Sequence, residues 1–208
     1  MKEKYLEDLK EIKSIMNRSS RFISLSGWSG VVAGLIACAG AYAIHDHLLT
    51  NLDFLSYQPV VISNKDLTDL ITIGLTTIIC TLVAVIWLTT KETKKRNEKI
   101  WDAQTQRLLI NLFIPLLTGG LLILMLLSKG MAGLAFPLSL IFYGLALINA
   151  SKYTLNEIRS LGLLETLLGL VAVYFIEQSF WIWVGGFGLL HIKYGIYMQW
   201  KLSRERSA

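Results

Sequence analysis

The chain has 208 residues, with 20 lysines and arginines against 15 aspartates and glutamates, and a formal net charge of +5. Charged residues make up only 17% of it and hydrophobic residues 53%, whereas soluble domains carry about 25% charged residues. The mean hydropathy is +0.51 and the sequence pI is about 9.2. Three prolines, two cysteines and many aliphatic runs exclude collagen, intrinsic disorder and a disulfide scaffold.

Six mostly apolar stretches are long enough to cross a bilayer, which takes roughly 20 residues per helix. Backbone polar groups in lipid must be satisfied within the segment, so these stretches are predicted to be α-helices. The predicted fold class is all-α: a polytopic membrane bundle of six transmembrane helices over residues 25–208, preceded by an N-terminal amphipathic helix over residues 1–24. The predicted spans are about 27–45, 67–90, 108–128, 131–150, 160–176 and 179–200.

The basic residues are distributed unevenly between the two sets of loops. Seventeen of the 20 lysines and arginines lie before the first span, between spans two and three, between spans four and five, or after span six. Only Lys65 and Lys129 lie on the other side, and Lys193 falls within the sixth span. Because cytoplasmic loops are enriched in lysine and arginine, both termini are predicted to be cytoplasmic. No nucleic-acid partner is predicted, since the basic segments lack the interleaved aromatic residues that stack on bases.

The N-terminal segment is predicted to form an amphipathic helix, because Tyr5, Leu9, Ile12 and Met16 recur on one face. One interpretation is an interfacial helix, with its apolar side on membrane lipids and its basic side toward anionic headgroups. The other is a docking helix for a cytoplasmic protein or a second copy of the chain.

Two tandem helical hairpins are predicted in the second half of the chain. A shift of 51 residues places Tyr143–Gly144 on Tyr194–Gly195, and the two hairpins then have the same orientation. Gly30 and Gly34 begin a stripe of small residues in the first span, which favours close packing against another helix. That stripe also suits a homodimer interface.

A candidate polar site lies inside the predicted spans. Glu165 and His191 are each 13 residues from Gln178, at the turn of the last hairpin, so both lie about 20 Å from that end and face each other. Tyr194 lies one turn beyond His191, Tyr143 falls at a similar depth, and two asparagines form a second polar layer nearer the cytoplasm. The candidate site residues are Glu165, His191, Tyr194, Tyr143, Asn111 and Asn149.

Ionisable residues within a membrane are expensive and raise a functional hypothesis, here the exchange of a proton between glutamate and histidine. The alternative is a hydrogen-bonded pair that fixes the register of two helices. No catalytic motif is present, so no catalytic residue and no cofactor is predicted. His45, Asp46 and His47 are too few ligands for a metal site, and no metal is predicted.

Three stretches carry a resemblance to a group of small multi-span membrane proteins of Bacteroidetes-type bacteria: YLEDLKEIKSIMNRSSRFISLSG, KIWDAQTQRLLINLFIPLLTGG and LIFYGLALINASKYTLNEIRSLG. The resemblance implies a multi-pass protein of the bacterial inner membrane and no catalytic role. The repeated hairpin also resembles, in pattern, the acid-resistance membrane protein family (HdeD-like), which is itself six-helical.

Three functions are compatible with these features. The first is a non-enzymatic scaffold, sensor or regulatory membrane protein that acts through a cytoplasmic partner. The second is a small transporter or proton-linked permease that uses Glu165 and His191. The third is a lipid-binding membrane protein. An enzymatic activity is not favoured by the sequence.

Overall fold

The computed structural model describes residues 27–48, 55–95 and 101–207, and within these ranges the regular structure is entirely helical. The predicted amphipathic helix over residues 1–24 lies outside the described residues. Short 3-10 turns join several of the helices, and the last three helical segments follow one another without a break. The helices are α1 (Gly27–Leu48), α2 (Asn64–Lys95), α3 (Ala103–Leu127), α4 (Ala135–Ala150), α5 (Asn156–Tyr174), α6 (Ser179–Trp183), a π-helical segment (Val184–Leu190) and α7 (His191–Ser207).

Four segments are long and apolar enough to cross a membrane: Gly27–His47, Asn64–Lys95, Ala103–Leu127 and Ala132–Tyr153. They coincide with the first four predicted spans. The fifth predicted span is the helix α5, and the sixth is the run of α6, the π segment and α7. Their crossing of the membrane stays a prediction, as does the tandem repeat of hairpins.

The bundle has two halves, one built on α1 and the other on α4 and α5. α1 packs against α2 on one side and against the π segment and α7 on the other. α4 packs against α5 and α3, and α5 also contacts α6 and the π segment. The run from α6 to α7 therefore joins the α1–α2 half of the bundle to the α3–α4–α5 half. The long apolar side chains of α2 and α3 are mostly exposed, which is the exposure expected of helices that cross a membrane.

Glycines allow the closest helix contacts. A Cβ atom at Gly195 of α7 would lie 2.5 Å from the backbone nitrogen of Val31 and 2.7 Å from the carbonyl oxygen of Gly27, both in α1. At the α4–α5 contact, a Cβ at Gly144 would lie 2.6 Å from the carbonyl oxygen of Gly162. Because the opposing atoms belong to backbone, no rotamer change could make room for a larger residue. The predicted stripe of Gly30 and Gly34 also faces this crossing, against α7 and the end of the π segment of the same chain.

Gly195 provides a test of this packing. Gly195→Ala is expected to lower the free energy of unfolding by about 1–3 kcal/mol, because the added methyl group overpacks the α1–α7 contact. The matched control is Gly74→Ala in α2, where a Cβ would have no atom within 4 Å. That control should be neutral or stabilising by up to about 1 kcal/mol, since alanine favours helix. Thermal unfolding in detergent measures both, and equal losses would contradict the packing.

Residues 55–63, directly before α2, cover the end of the bundle that lies away from the C-terminal end of α7. Leu55 is 4% exposed and belongs to an apolar cluster with residues of α1, α4 and α6. The Tyr57 hydroxyl donates to the carbonyl oxygen of Val173, near the end of α5. The backbone N–H of Val60 donates to the carbonyl oxygen of Gly130, 3.0 Å away, in the turn after α3. Residues 55–60 therefore pack on α1, α4, α5, α6 and the turn after α3.

α3 begins with a side-chain cap. Asp102 Oδ1 accepts from the Thr105 backbone N–H at 2.7 Å and from the Thr105 hydroxyl at 2.8 Å, which satisfies one of the free donors of the first turn. Burial raises the pKa of the Asp102 carboxyl. Hydrogen bonds from Thr105 and neighbouring backbone groups together lower the pKa by more than burial raises it, so it lies below its ordinary value.

Asp102→Ala is expected to cost about 0.5–2 kcal/mol of stability at neutral pH, because the cap is lost. A depressed pKa in the folded state gives stability that is present above the ordinary aspartate pKa and is lost as the pH falls through the folded value. The stability difference between wild type and variant should therefore shrink below about pH 4. Thermal unfolding over a pH series measures this. A difference that grows on acidification would contradict the assignment.

Candidate functional site: a buried glutamate, histidine and tyrosine

Glu165 lies on the packed face of α5. Its side chain is fully buried, with 0% of its surface exposed. The other buried residues of the helix follow the helical period on the same face: Leu161, Gly162, Gly169 and Ala172. Small residues on either side of Glu165 bring α4 close, so the carboxyl group sits in the interior and not at a helix edge.

His191 is the first residue of α7, directly after the π segment, and is 5% exposed. Its Nδ1 lies 3.0 Å from the carbonyl oxygen of Gly186 and 3.2 Å from Glu165 Oε1. A carbonyl oxygen only accepts, so Nδ1 carries the proton and donates to Gly186. In the neutral ring Nε2 is then an acceptor, and it accepts a hydrogen bond from the Tyr143 hydroxyl at 2.8 Å.

The Glu165 carboxyl group has an ion-pair neighbour but no aligned hydrogen bond. Oε1 lies within ion-pair distance of His191 Nδ1, away from the line of the N–H bond that points to Gly186. Among the residues that the structure describes, neither carboxyl oxygen has a hydrogen-bond partner. A buried, unpaired carboxylate is costly, and a proton on the carboxyl group or on the imidazole reduces that cost.

Gly186 in the π segment makes room for the carboxyl group. A Cβ at this position would lie 2.6 Å from Glu165 Oε2 and 2.7 Å from Leu140 Cδ2. Gly186 therefore has two roles, since its carbonyl oxygen also accepts a hydrogen bond from the His191 Nδ1–H group. π-Helical turns inside α-helices are frequent at functional sites. Here the π segment places a carbonyl, a glycine and a histidine around one carboxyl group.

Aromatic rings enclose the other side of the cluster. The Phe187 ring stacks on His191 with centroids 5.8 Å apart and planes 13° apart, and it lies 4.9 Å from the Tyr143 ring. Trp183 contacts Phe187 at 5.0 Å and donates its indole N–H to the Ser139 hydroxyl at 2.9 Å. The Phe187 ring covers one face of the imidazole and contributes to the burial of His191, which is 5% exposed.

The two predicted asparagines form a separate contact. The Asn149 side-chain amide donates to the backbone oxygen of Asn111 at 3.0 Å and so joins α4 to α3. The Asn111 amide donates to the backbone oxygen of Arg107, within its own helix, at 2.8 Å. Asn149 thus links α4 to α3, and the Asn111 side chain bonds within α3.

Tyr194 faces the same interior as His191, one helical turn farther along α7. Its hydroxyl is buried and has no hydrogen-bond partner among the described residues. Glu157 is at the start of α5, and its carboxyl group accepts from the ammonium group of Lys201 in α7.

The structure thus brings His191 into direct contact with both Glu165 and Tyr143. Sequence reasoning did not single out Gly186 and Phe187, although the glycine-rich run VGGFG shortly before His191 was a visible signal.

Comparison of the chain with protein-family models, with curated proteins and with solved structures found no match. The chemistry of the cluster is therefore the basis for any functional conclusion.

No group of three histidine, cysteine, aspartate or glutamate side chains that could hold a metal occurs within the described ranges. His45, at the end of α1, packs on aromatic rings: its centroid lies 6.0 Å from that of Phe180 and 5.6 Å from that of Trp181.

Removing the Tyr143 hydroxyl tests its hydrogen bond with His191. Tyr143→Phe should cost about 1–3 kcal/mol of stability, because the buried Nε2 loses its donor. Tyr42→Phe is the control: this tyrosine is 73% exposed, and its change should stay within about 0.5 kcal/mol. Both are measured by thermal unfolding in detergent. A Tyr143→Phe variant as stable as the control would refute the hydrogen bond.

Proposed function

We propose that this protein is a six-span integral membrane protein. Besides the four long apolar helices, α5 has 19 residues and is about 28 Å long, close to the thickness of a bilayer core. The run from α6 to α7 packs lengthwise against α1, so it lies parallel to a membrane-crossing helix. Both features support a crossing by the fifth and sixth spans.

The distribution of basic residues supports cytoplasmic termini, with seventeen lysines and arginines on one side and two on the other. Two contacts place basic residues beside aromatic rings at the ends of predicted spans. The Arg204 guanidinium lies 3.6 Å from the Trp200 ring centroid, and the Lys91 ammonium lies 5.3 Å from the Trp87 centroid. Such pairs are typical of headgroup level. With the sequence resemblance, they support the inner membrane of a bacterium.

The function that the geometry favours is that of a non-enzymatic sensor or regulatory protein, rather than a permease. The enclosure of the cluster carries this conclusion: Glu165 is 0% exposed, His191 is 5% exposed, and Gly186 packs directly on the carboxyl group. A solute would need a path to these groups, whereas a proton moves through hydrogen bonds. A group that changes charge inside a packed bundle shifts the balance between two packings, which is how a regulatory signal arises.

The amphipathic sequence of residues 1–24 supports a regulatory function that acts through a partner, since its apolar face is suited to another helix or to the membrane surface. A homodimer through α1 would have to use the face that carries Trp28, Leu35 and Tyr42, because the Gly30–Gly34 face is covered by α7.

Deletion of residues 1–24 tests this function. Crosslinking followed by affinity purification from the native membrane should recover a protein partner with the full-length chain and not with the deletion. The control is removal of residues 205–208, which shortens the other terminus and should leave the bound proteins unchanged. An identical set of bound proteins with and without residues 1–24 would rule out this segment as the output.

A proton-linked permease is the second candidate, and one observation favours it. Both oxygens of Glu165 lack a hydrogen bond in the described part of the chain, and the carboxyl group lies 3.2 Å from the His191 imidazole, an acid–base pair of the kind that marks proton pathways in membrane transporters. Coupling that proton to a solute would require an opening of the bundle near Gly186.

A further inference from the structure

The Nδ1–H group of His191 has two acceptors within reach. The Gly186 carbonyl oxygen lies 3.0 Å from Nδ1 and accepts the hydrogen bond. Glu165 Oε1 lies 3.2 Å from the same nitrogen but accepts no aligned hydrogen bond from it. One donor therefore lies between a backbone carbonyl of the π segment and a carboxyl group of α5, at nearly equal distances from both.

The observed acceptor indicates which form of Glu165 is present. Hydrogen bonds to an ionised acceptor are shorter and roughly twice as strong as those between neutral groups, so a carboxylate would draw Nδ1–H away from the carbonyl. The hydrogen bond instead goes to Gly186, and the fully buried carboxyl group has no partner among the described residues. An ionised carboxylate in that position would be far more costly than a neutral acid. The arrangement is therefore that of protonated Glu165 beside neutral His191.

We propose that Glu165, His191 and the Gly186 carbonyl form a proton switch, in which the protonation state of Glu165 decides which acceptor holds the His191 Nδ1–H group. The proposal deepens the regulatory function and rests on it, since it names the proton as the signal and the π segment as the point of response. With Glu165 protonated, Nδ1–H donates to Gly186, as observed. When Glu165 is ionised, Nδ1–H turns to Oε1, and the Gly186 carbonyl loses its hydrogen bond to the ring.

The switch exchanges one proton with the solvent. The O–H bond of the Glu165 carboxyl group breaks, and a water molecule, admitted by local opening of the helix contact, takes the proton as hydronium. His191 keeps its single ring proton on Nδ1 in both states. Nε2 keeps the hydrogen bond from the Tyr143 hydroxyl at 2.8 Å. The Tyr143 contact therefore holds the ring while the other nitrogen changes its acceptor.

The released carbonyl belongs to the segment that contacts α1. A Cβ at Gly34 of α1 would lie 2.7 Å from the carbonyl oxygen of Gly188, and a Cβ at Gly188 would lie 2.6 Å from the Cys38 sulfur. Gly188 is two residues beyond Gly186 in the same π segment. Because this contact has so little free space, a shift of the π segment changes how α1 packs against it. The protonation state of the buried acid thus reaches the α1–α2 half of the bundle.

Few other titratable groups face Glu165 within the described ranges. α4 contributes Tyr143, and α7 contributes His191 and the buried Tyr194. α6 and the π segment carry no titratable side chain. From α1, Cys38 reaches the π segment at Gly188.

The charged residues of these elements lie outside the enclosed cluster. Glu157 and Lys201 pair with each other, with side chains 21% and 38% exposed, and Glu157 is about two helical turns from Glu165. Four charged residues on α5, on α7 and in the turns at either end of α5 are exposed: Lys152, Arg159, Glu177 and Lys193. A titration inside the bundle is therefore assigned to Glu165 and its histidine.

Solid-state NMR of the full-length protein in proteoliposomes tests the switch. The dipeptide Gly–Phe occurs once in the sequence, at Gly186–Phe187. Glycine labelled with ¹³C at the carbonyl, combined with ¹⁵N-phenylalanine, therefore gives a single correlated signal, that of the Gly186 carbonyl. Raising the pH from about 5 to about 9, a range that includes the titration of buried glutamates, should move this signal upfield, because the carbonyl loses a hydrogen bond.

Glu165→Gln should keep the Gly186 signal at its low-pH position throughout, because the neutral amide replaces the protonated acid. The matched control is Glu177→Gln, which removes an exposed carboxyl group and should leave the pH-dependent shift unchanged. Infrared spectroscopy gives a second readout. A carboxyl band that is present at low pH and absent in Glu165→Gln should disappear over the same pH range in which the Gly186 signal moves.

Two outcomes would overturn the proposal. One is a Gly186 signal that stays in place over this pH range in the wild-type protein, a result that does not depend on the folding of any variant. The other is a signal that shifts equally in the wild type and in Glu165→Gln, which would assign the proton to another group. Neither outcome affects the partner assay with residues 1–24 deleted, so failure of the switch and failure of the regulatory function are distinguishable.

Discussion

Glu165 is a carboxyl group with no exposed surface in a bundle whose helices are otherwise mostly apolar, and three elements are arranged to accommodate it. α7 supplies the His191 imidazole, the π segment supplies the Gly186 backbone and carbonyl, and α4 supplies Tyr143 through the imidazole. A charge or dipole without such neighbours would be too costly in this interior. The irregular π turn is thus explained by the group that it surrounds.

Glycines set how closely these elements approach. Gly186 admits the carboxyl group, and Gly195 lets α7 lie directly on α1, one turn beyond His191. The site and the helix crossing therefore share one segment of chain, so a change in the hydrogen bond at Gly186 acts on a contact with little free space. Tightly packed interfaces of this kind respond by switching between arrangements and not by gradual deformation. This property favours a regulatory function for the enclosed cluster.

Much of the architecture follows from residue pattern. The first four apolar stretches are helices capable of crossing a membrane, because backbone groups in lipid must bond within their own segment. The equal distance of Glu165 and His191 from the turn at Gln178 predicted that they would meet, since both helices rise by the same amount per residue. The pattern could not give Gly186 as their neighbour, because the π turn shifts the register and is not encoded by a period of 3.6.

The sequence by itself determined which segments are apolar and of bilayer length, that the basic residues are concentrated in alternate connections and at the termini, and that Glu165 and His191 are equally far from the turn at Gln178. These are properties of single segments, which depend on the transfer of side chains and backbone from water to lipid. The tertiary structure alone decided that Tyr143 bonds to His191, whereas Asn149 bonds to the backbone of Asn111 in α3. It also decided that the Gly30–Gly34 stripe of α1 is covered by α7 of the same chain. Those outcomes depend on which helices are neighbours and on their rotation about their axes, and both are set by packing between segments far apart in the chain.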